Sequence, residues 1–330
     1  MKKRLALIFG VSGQDGAYLA KLLLEKGYLV HGTSRDAEIS TFSSLGILGI
    51  QDRVKVHSAT LTDFRSTLQL ISKIEPDEIY NLSGQSSVGL SFEQPVETLE
   101  SIAIGTLNIL ESIRFLGYQT RFYNAGSSEC FSDTRNVAAD ESTPFRPKSP
   151  YGVAKSAAYW EVANYPDSYS LFACSGILFN DESLLRPSRF VTRKVAMAAA
   201  RIALGEKEKL ILGDLSIERD WGWAPEYVEA MWLMLQLPEP EDFVIATGYR
   251  CSLQRFVEQC FSALELNWCD YVQQDKSLYR PSEIRSGFGR PEKAARLLGW
   301  SACITAEEVA IKMAKGELMR LEKKLPEGLL

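Results

Sequence analysis

The chain has 330 residues, 45% of them hydrophobic and 24% charged, and a net charge of −5. That size and balance suit a globular protein with a large core, in one large or two smaller domains. The acidic balance offers no basic surface for nucleic acid, no stretch approaches the apolar length of a membrane span, and the six scattered cysteines contain no CxxC pair pointing to zinc or a disulfide framework.

Leu5-Ala-Leu-Ile-Phe9 is a short apolar run without helical period, and it reads as a buried parallel strand. Gly10-Val-Ser-Gly13-Gln-Asp-Gly16 follows at once, and Ala17 to Lys26 reads as a helix ended by Gly27. Strand, glycines and helix in that order are the context of a dinucleotide fingerprint. Gly10 permits the tight turn, Gly13 lets backbone approach a pyrophosphate, and Gly16 lets the helix pack close on the sheet. The helix N-terminus then presents unpaired N–H groups to phosphate. The G-x-x-G-x-x-G spacing is similar to that of short-chain dehydrogenases.

The next strand, Leu29 to Thr33, ends in Ser34-Arg35-Asp36. An acidic residue there suits the ribose 2′-hydroxyl of NAD, and an arginine suits the 2′-phosphate of NADP. Ser34 and Arg35 favour NADP; Asp36 argues for NAD. Arg–phosphate pairing is the stronger geometric match, so the expected cofactor is NADP, with NAD as the alternative. The histidines, His31 and His57, have no partner at metal-ligand spacing, so no metal site is expected.

Strands at Val54–His57, Glu78–Leu82 and Thr120–Ala125 alternate with a helix over Asp63–Lys73, capped by Thr62 or Asp63, and with a long apolar period from Val96 to Leu116 broken at Gly105. The fold expected is α/β: a Rossmann-type doubly wound parallel sheet over residues 1–176, then a smaller C-terminal α/β substrate-binding portion over residues 177–330, with some segments returning to the sheet. In that portion Phe190–Leu204, Glu226–Gln236, Leu253–Leu264 and Thr305–Lys323 read as helices and Asp242–Ala246 as a strand, and Glu206–Lys209 as a solvated turn. Ligands bind beyond the carboxyl ends of such strands, where the glycine turn, Leu82–Ser86 and Ser127-Ser-Glu129 all fall.

Tyr151 and Lys155, in Ser149-Pro-Tyr-Gly-Val-Ala-Lys155, stand four apart. On a helix they share a face, so the ammonium is expected beside the phenol, pulling its pKa towards working pH. Glu129 adds a carboxylate to the same edge. The start of the chain carries no secretory signal, and a cytoplasmic location is expected.

Gly10–Lys26, Tyr80–Ser86, Ser127–Glu129, Ser149–Lys155 and Ser175–Asn180 resemble the extended short-chain dehydrogenase/reductases that act on nucleotide sugars. Phe190–Lys194, Arg219-Asp-Trp-Gly-Trp223, Tyr227–Gln236 and Arg280-Pro-Ser-Glu283 narrow the resemblance to the GDP-mannose 4,6-dehydratase family. The resemblance implies oxidation of the sugar at C4, loss of water across C5 and C6, and return of hydride to C6. It implies catalytic roles for Ser127, Glu129, Tyr151 and Lys155. Tyr151 takes the 4-hydroxyl proton, and Glu129 is the base at C5 that a reductase or epimerase does not need. Cofactor contacts are implied for Gly10, Ser12, Gly13, Gln14, Asp15, Gly16, Ser34, Arg35, Leu61, Leu82, Ser83, Gln85 and Leu178, besides Tyr151 and Lys155. Substrate contacts are implied for Ser86, Asn180, Lys194, Arg219, Arg280 and Glu283. The implied partner is a GDP-sugar, GDP-mannose first, and the implied assembly a homo-oligomer, dimer or tetramer. The alternatives are a 4-keto reductase or epimerase on a related nucleotide sugar, or an inactive cofactor-binding homologue. The chain departs from the family pattern at Thr60, at Ser127 in place of threonine, at Ser132, at Ile284–Ser286, in a shorter segment after Arg35, and at Asp181, where Arg186 is the compensating charge.

Overall fold

The computed structural model describes residues 3–323 apart from 135–136, 280–281 and 283. In chain order its elements are β1 (Leu5–Phe9), α1 (Gln14–Glu25), β2 (Leu29–Ser34), α2 (Ser43–Ile47), β3 (Lys55–Ser58), α3 (Phe64–Ile74), β4 (Glu78–Asn81), α4 (Val88–Glu93), α5 (Pro95–Leu99), α6 (Gly105–Leu116), β5 (Arg121–Ala125), α7 (Pro150–Tyr169) and β6 (Ala173–Leu178). There follow β7 (Asn180–Glu182), α8 (Val191–Ala203), β8 (Leu210–Leu212), β9 (Glu218–Arg219), β10 (Trp221–Trp223), α9 (Ala224–Met234), β11 (Phe243–Ile245), β12 (Cys251–Ser252), α10 (Leu253–Ser262), β13 (Val272–Gln274), β14 (Ser286–Gly287), α11 (Glu292–Leu298) and α12 (Ala306–Leu321).

Seven strands form one parallel sheet in the order β11-β6-β5-β4-β1-β2-β3. Both faces are covered, which is why its strands read as continuous apolar runs. In β1, Ala6 and Ile8 pack towards Tyr18, Tyr227 and Met231, and Leu7 and Phe9 towards Ile71, Ile109 and Leu110. The strand order reverses between β1 and β4, and a crevice opens there at the carboxyl ends.

The apolar period from Val96 to Leu116 is not one regular helix. A π-helical turn, Glu100–Ile104, separates α5 from α6. Gly105 follows it, and a β-carbon there would lie 3.2 Å from Leu61 Cβ. The break therefore falls where α6 passes closest to the β3–α3 loop. The caps follow side-chain chemistry: Asp63 accepts from Arg65 N at 3.0 Å to start α3, and Thr305 forms a capping box with Glu308 on α12.

The second half is built differently. β7 pairs with β10, β9 lies between β12 and β14, and β8 pairs with β13, all with strands of two or three residues. Their core is the packing of α8, α10 and α12 around Trp221, Phe256 and Phe261. A buried ion pair, Arg193 Nη1 to Glu317 Oε1 at 2.5 Å, ties α8 to α12.

Candidate active site

The glycine turn does what its spacing requires. Gly10 has φ +87°, and a β-carbon on it would lie 2.8 Å from the Leu82 carbonyl oxygen. A β-carbon on Gly16 would lie 2.3 Å from the Gly10 carbonyl oxygen, so α1 meets the turn with no room for a side chain. A β-carbon on Gly13 would lie 3.3 Å from the Gly10 oxygen, and among the described residues nothing else outside its chain neighbours and its own helix comes within 4 Å of that position, which leaves the approach open. Gly13 is the N-cap of α1 and supplies no side-chain acceptor. The first N–H groups of the helix are thus available to an anion, and this cradle fits the pyrophosphate of a dinucleotide. Ser12 and Gly13 are exposed at it, and Gln14 is buried behind it.

Ser34 and Arg35 sit at the end of β2, on the crevice side of the sheet. Arg35 is exposed and lies 3.7 Å from Glu97. Asp36 spends its carboxylate on its own turn, with Oδ1 accepting from Glu38 N at 3.0 Å and Ile39 N at 3.3 Å. Leu61, beyond β3, accepts from Asn108 Nδ2 through its carbonyl at 2.6 Å.

Past the glycine turn the crevice widens into a cavity of about 410 Å³. Asp15, Leu82, Ser83, Gln85 and Leu178 line it, as do Ser127, Glu129, Tyr151 and Lys155. So do Ser86, Asn180, Lys194 and Arg219. Arg280 and Glu283 lie outside the described residues.

Ser149 caps α7, accepting from Gly152 N at 3.0 Å with Pro150 in the first turn, and so fixes the end of α7 that carries Tyr151 and Lys155. Ser127 Oγ accepts from Glu129 N at 3.3 Å, and the Ser127 hydroxyl favours the charged form of the Tyr151 phenol. Phenol, hydroxyl and carboxylate thus line one cavity. Below them Asn81 Nδ2 donates to Thr106 Oγ1 at 3.0 Å and Asn124 Oδ1 at 3.1 Å, and Ser83 Oγ donates to Asn81 Oδ1 at 2.6 Å. This buried network fixes the loop after β4 against β5.

The expected lowering of the Tyr151 pKa by Lys155 is corrected by the structure. Burial pushes the phenol well above its ordinary value; the Ser127 hydroxyl bond and Arg186 oppose the rise, while Glu129 and Cys130 add to it. Lys155 Nζ lies 5.8 Å from the Tyr151 ring centre and donates to the Ala125 carbonyl at 2.7 Å. Burial lowers the Lys155 pKa to about 8. An i, i+4 spacing brings two side chains to one face, but it does not decide where an ammonium sends its protons.

Lys194 Nζ donates to the Ile211 carbonyl at 2.7 Å, and Arg219 Nη1 to the Glu218 carbonyl at 2.9 Å. Two further cations line the cavity that the sequence reading did not assign to a ligand. Arg186 stacks 3.9 Å over Phe190 and pairs with Glu182 at 3.2 Å. Arg189 reaches Ser86 Oγ at 3.4 Å. The density of basic residues from 186 to 194 was the available signal. Among the described residues no group of three or more His, Cys, Asp or Glu side chains could hold a metal ion. His31 and His57 instead contact each other, Nδ1 to Nε2 at 3.1 Å.

The family model described as GDP-mannose 4,6 dehydratase matches residues 7–313. The chain belongs to the GDP-mannose 4,6-dehydratase family. It is 43% identical to GDP-mannose 4,6 dehydratase 2 of Arabidopsis thaliana over 332 residues, covering 98% of this chain and 88% of that one. It is 42% identical to GDP-mannose 4,6-dehydratase of Yersinia enterocolitica over 359 residues, covering 98% and 95%. By this membership it is a nucleotide-sugar 4,6-dehydratase. Solved structures share the fold at lower identity. RMD from Pseudomonas aeruginosa, complexed with NADPH, superposes with a TM-score of 0.79 at 20% identity, over 96% of this chain and 100% of that one. DesIV, a dTDP-glucose 4,6-dehydratase from Streptomyces venezuelae, gives 0.85 at 17% identity, over 99% and 100%.

Proposed function

We propose that this chain converts GDP-D-mannose to GDP-4-keto-6-deoxy-D-mannose with NADP as its cofactor. The observation that carries the reading is the presence of Tyr151, Ser127 and Glu129 on one cavity, with Ser127 Oγ holding the Glu129 backbone N–H. A reaction that oxidises C4 and then removes a proton from C5 needs a base for oxygen and a base for carbon on adjacent atoms of one ring.

As its phenolate, Tyr151 accepts the proton of the 4-hydroxyl as C4 is oxidised, and the Ser127 hydroxyl and Arg186 favour that anion. The 4-ketone acidifies the neighbouring C5–H. Glu129 takes that proton and hands one to the departing 6-hydroxyl, which leaves as water. Nicotinamide dinucleotide, when bound, supplies the hydride acceptor for C4 and the hydride donor for C6. Arg219 and Lys194 face the cavity as phosphate partners, one able to bind bidentately and the other as a point charge. The involvement of Asp36 in its own turn leaves Ser34 and Arg35 to meet a 2′-phosphate, which favours NADP.

Val96, Leu99, Ile104 and Phe115 on the α5–α6 side and Val153 and Trp160 on α7 are exposed, and α7 packs against α5 and α6. This apolar face supports a homo-oligomer. The free cysteines suit a reducing compartment, and we place the protein in the cytoplasm. Among the described residues no helix is long and apolar enough to cross a membrane.

Purified protein given GDP-mannose and a trace of NADP+ tests the reading. The expected product is one water lighter than the substrate, formed without net consumption of reduced cofactor. Stoichiometric loss of NADPH on a keto-sugar, with no elimination, would replace the dehydratase by a reductase.

A further inference from the structure

Asp220 is the single residue between β9 and β10, and it is completely buried. The residues on either side of it, Arg219 and Trp221, both line the cavity that holds Tyr151. Along strands successive side chains leave on opposite faces, so an anchor at Asp220 governs how its two neighbours are presented to the cavity. The anchor is a carboxylate with a donor at every turn. Its Oδ1 accepts from Thr247 N at 2.9 Å and from Thr247 Oγ1 at 2.7 Å. Its Oδ2 accepts from Gly248 N at 3.0 Å and from Gly289 N at 3.3 Å. The Asp220 backbone N–H donates to the Gly287 carbonyl at 3.1 Å.

One side chain thus clamps the turn after β11 and the segment after β14 to the β9–β10 crossing. Both clamped segments are tightly built. Gly248 has φ +87°, so the turn is left-handed there and presents two consecutive N–H groups, those of Thr247 and Gly248, to the same carboxylate. A β-carbon on Gly289 would lie 2.5 Å from Ala246 Cβ, so the chain passes with no room for a side chain. The clamp also sits where two small sheets meet. Arg219 is registered with Cys251 of β12 and Gly287 of β14, and Trp221 with Asn180 of β7. The partners of the carboxylate are neutral donors. Burial raises its pKa to about 6 and the bonds from Thr247, Gly289 and Gly248 oppose the rise, so it is ionised at neutral pH and can only accept. An apolar side chain would fill this space at lower desolvation cost; what a fully bonded carboxylate adds is direction.

We propose that Asp220 is a positioning residue for the substrate: by clamping these two segments to the β9–β10 crossing, it holds Arg219 and Trp221 in the geometry that receives the diphosphate of the nucleotide sugar. The inference rests on the phosphate role given to Arg219 in the proposed function. Asp220 touches neither substrate nor cofactor and acts only through its neighbours. The diphosphate is remote from the sugar carbons that react, so it is gripped alike before and during the chemistry. Loosening that grip raises KM and leaves kcat in place. The cofactor cradle, at Gly10 to Gly16 and the start of α1, is built from other segments and keeps its affinity.

The test compares wild type with Asp220→Asn. The amide keeps the shape but has a single acceptor oxygen, and its NH2 group meets other donors. Steady-state assay with GDP-mannose and calorimetric titration with NADP+ read substrate and cofactor separately. Asp220→Asn is expected to raise the KM for GDP-mannose by about tenfold or more, with kcat and the NADP+ Kd kept. Thr247→Val removes only the hydroxyl bond and should raise KM by less, while Thr247→Ser, which keeps the hydroxyl, should lie closer to wild type. That second pair decides the matter should Asp220→Asn not fold. A folded Asp220→Asn with unchanged KM, or one whose kcat or NADP+ affinity falls as far as its substrate affinity, would overturn the inference, as would equal KM values for Thr247→Val and Thr247→Ser. Absence of turnover in wild type would instead remove the dehydratase reading, and GDP then serves as the probe. A weaker GDP Kd in Asp220→Asn would uphold the positioning role; equal binding by both proteins, or none by wild type, would end it.

Discussion

The two walls of the cleft are made in different ways. The cofactor wall is mainly backbone: a turn held by Gly10 and Gly16, and the open start of α1 after Gly13. Its function comes from atoms every residue has, placed by residues that lack side chains. The substrate wall is mainly side chains, brought from the β7–α8 segment, β9 and the loops after β4 and β5. Those charges are steadied by other buried charges: Arg186 by Glu182, and α8 by the Arg193–Glu317 pair. A wall built of backbone tolerates little change in shape. A wall built of charges tolerates little change in partner.

Substitutions on each side sharpen that contrast. Glu129→Gln should have the largest effect, a fall in kcat of about 10²–10⁴-fold with cofactor affinity kept, read by steady-state assay and NADP+ titration. Glu317→Gln leaves Arg193 buried without its partner. It should destabilise the protein by about 3–5 kcal/mol in denaturant unfolding, with substrate KM rising before cofactor affinity falls. Gly16→Ala should cost about 1–3 kcal/mol from overpacking against the Gly10 carbonyl, and here cofactor affinity should fall first. Should both variants weaken cofactor and substrate equally, the two walls are not separable.

The smallest effect is one of pH. Lys155 has its pKa lowered from 10.5 to about 8 by burial. Its ammonium is lost from the folded protein as pH rises through about 8, so turnover should decline on that limb. Stability should move the other way. Between about 8 and 10.5 the unfolded chain binds this proton and the folded chain does not, so the contribution of Lys155 to stability rises with pH across that window. Lys155→Met should remove the stability change, measured by urea midpoints across the same range.

The sequence was legible where consecutive residues make the structure. Leu5–Phe9, the three glycines and the helix after them can be read because strand, turn and helix each carry a local signal. The Gly105 break was visible as a break, but the π-turn before it and the approach of Leu61, which is far away in the chain, need the fold. Ala173–Leu178 is buried along its full length and so shows no alternation, and the reading became irregular within it. The strands of two or three residues in the second half exist only through their pairing and have no pattern of their own. Asp181 stood out as a departure, but the Gln14 amide that reaches it joins α1 to β7 and needs the fold. The same holds for Lys155, whose bond to Ala125 runs to a strand 30 residues earlier in the chain.

The most direct test of the account follows a label. GDP-mannose carrying deuterium at C4 is incubated with the protein and a trace of unlabelled NADP+, and the product is examined by NMR. Internal return of the hydride, with Glu129 clearing C5 in between, predicts deuterium at C6 of a 4-keto-6-deoxy sugar. Deuterium retained at C4 of an epimer, or accumulated in the cofactor pool with C6 still hydroxylated, would contradict it.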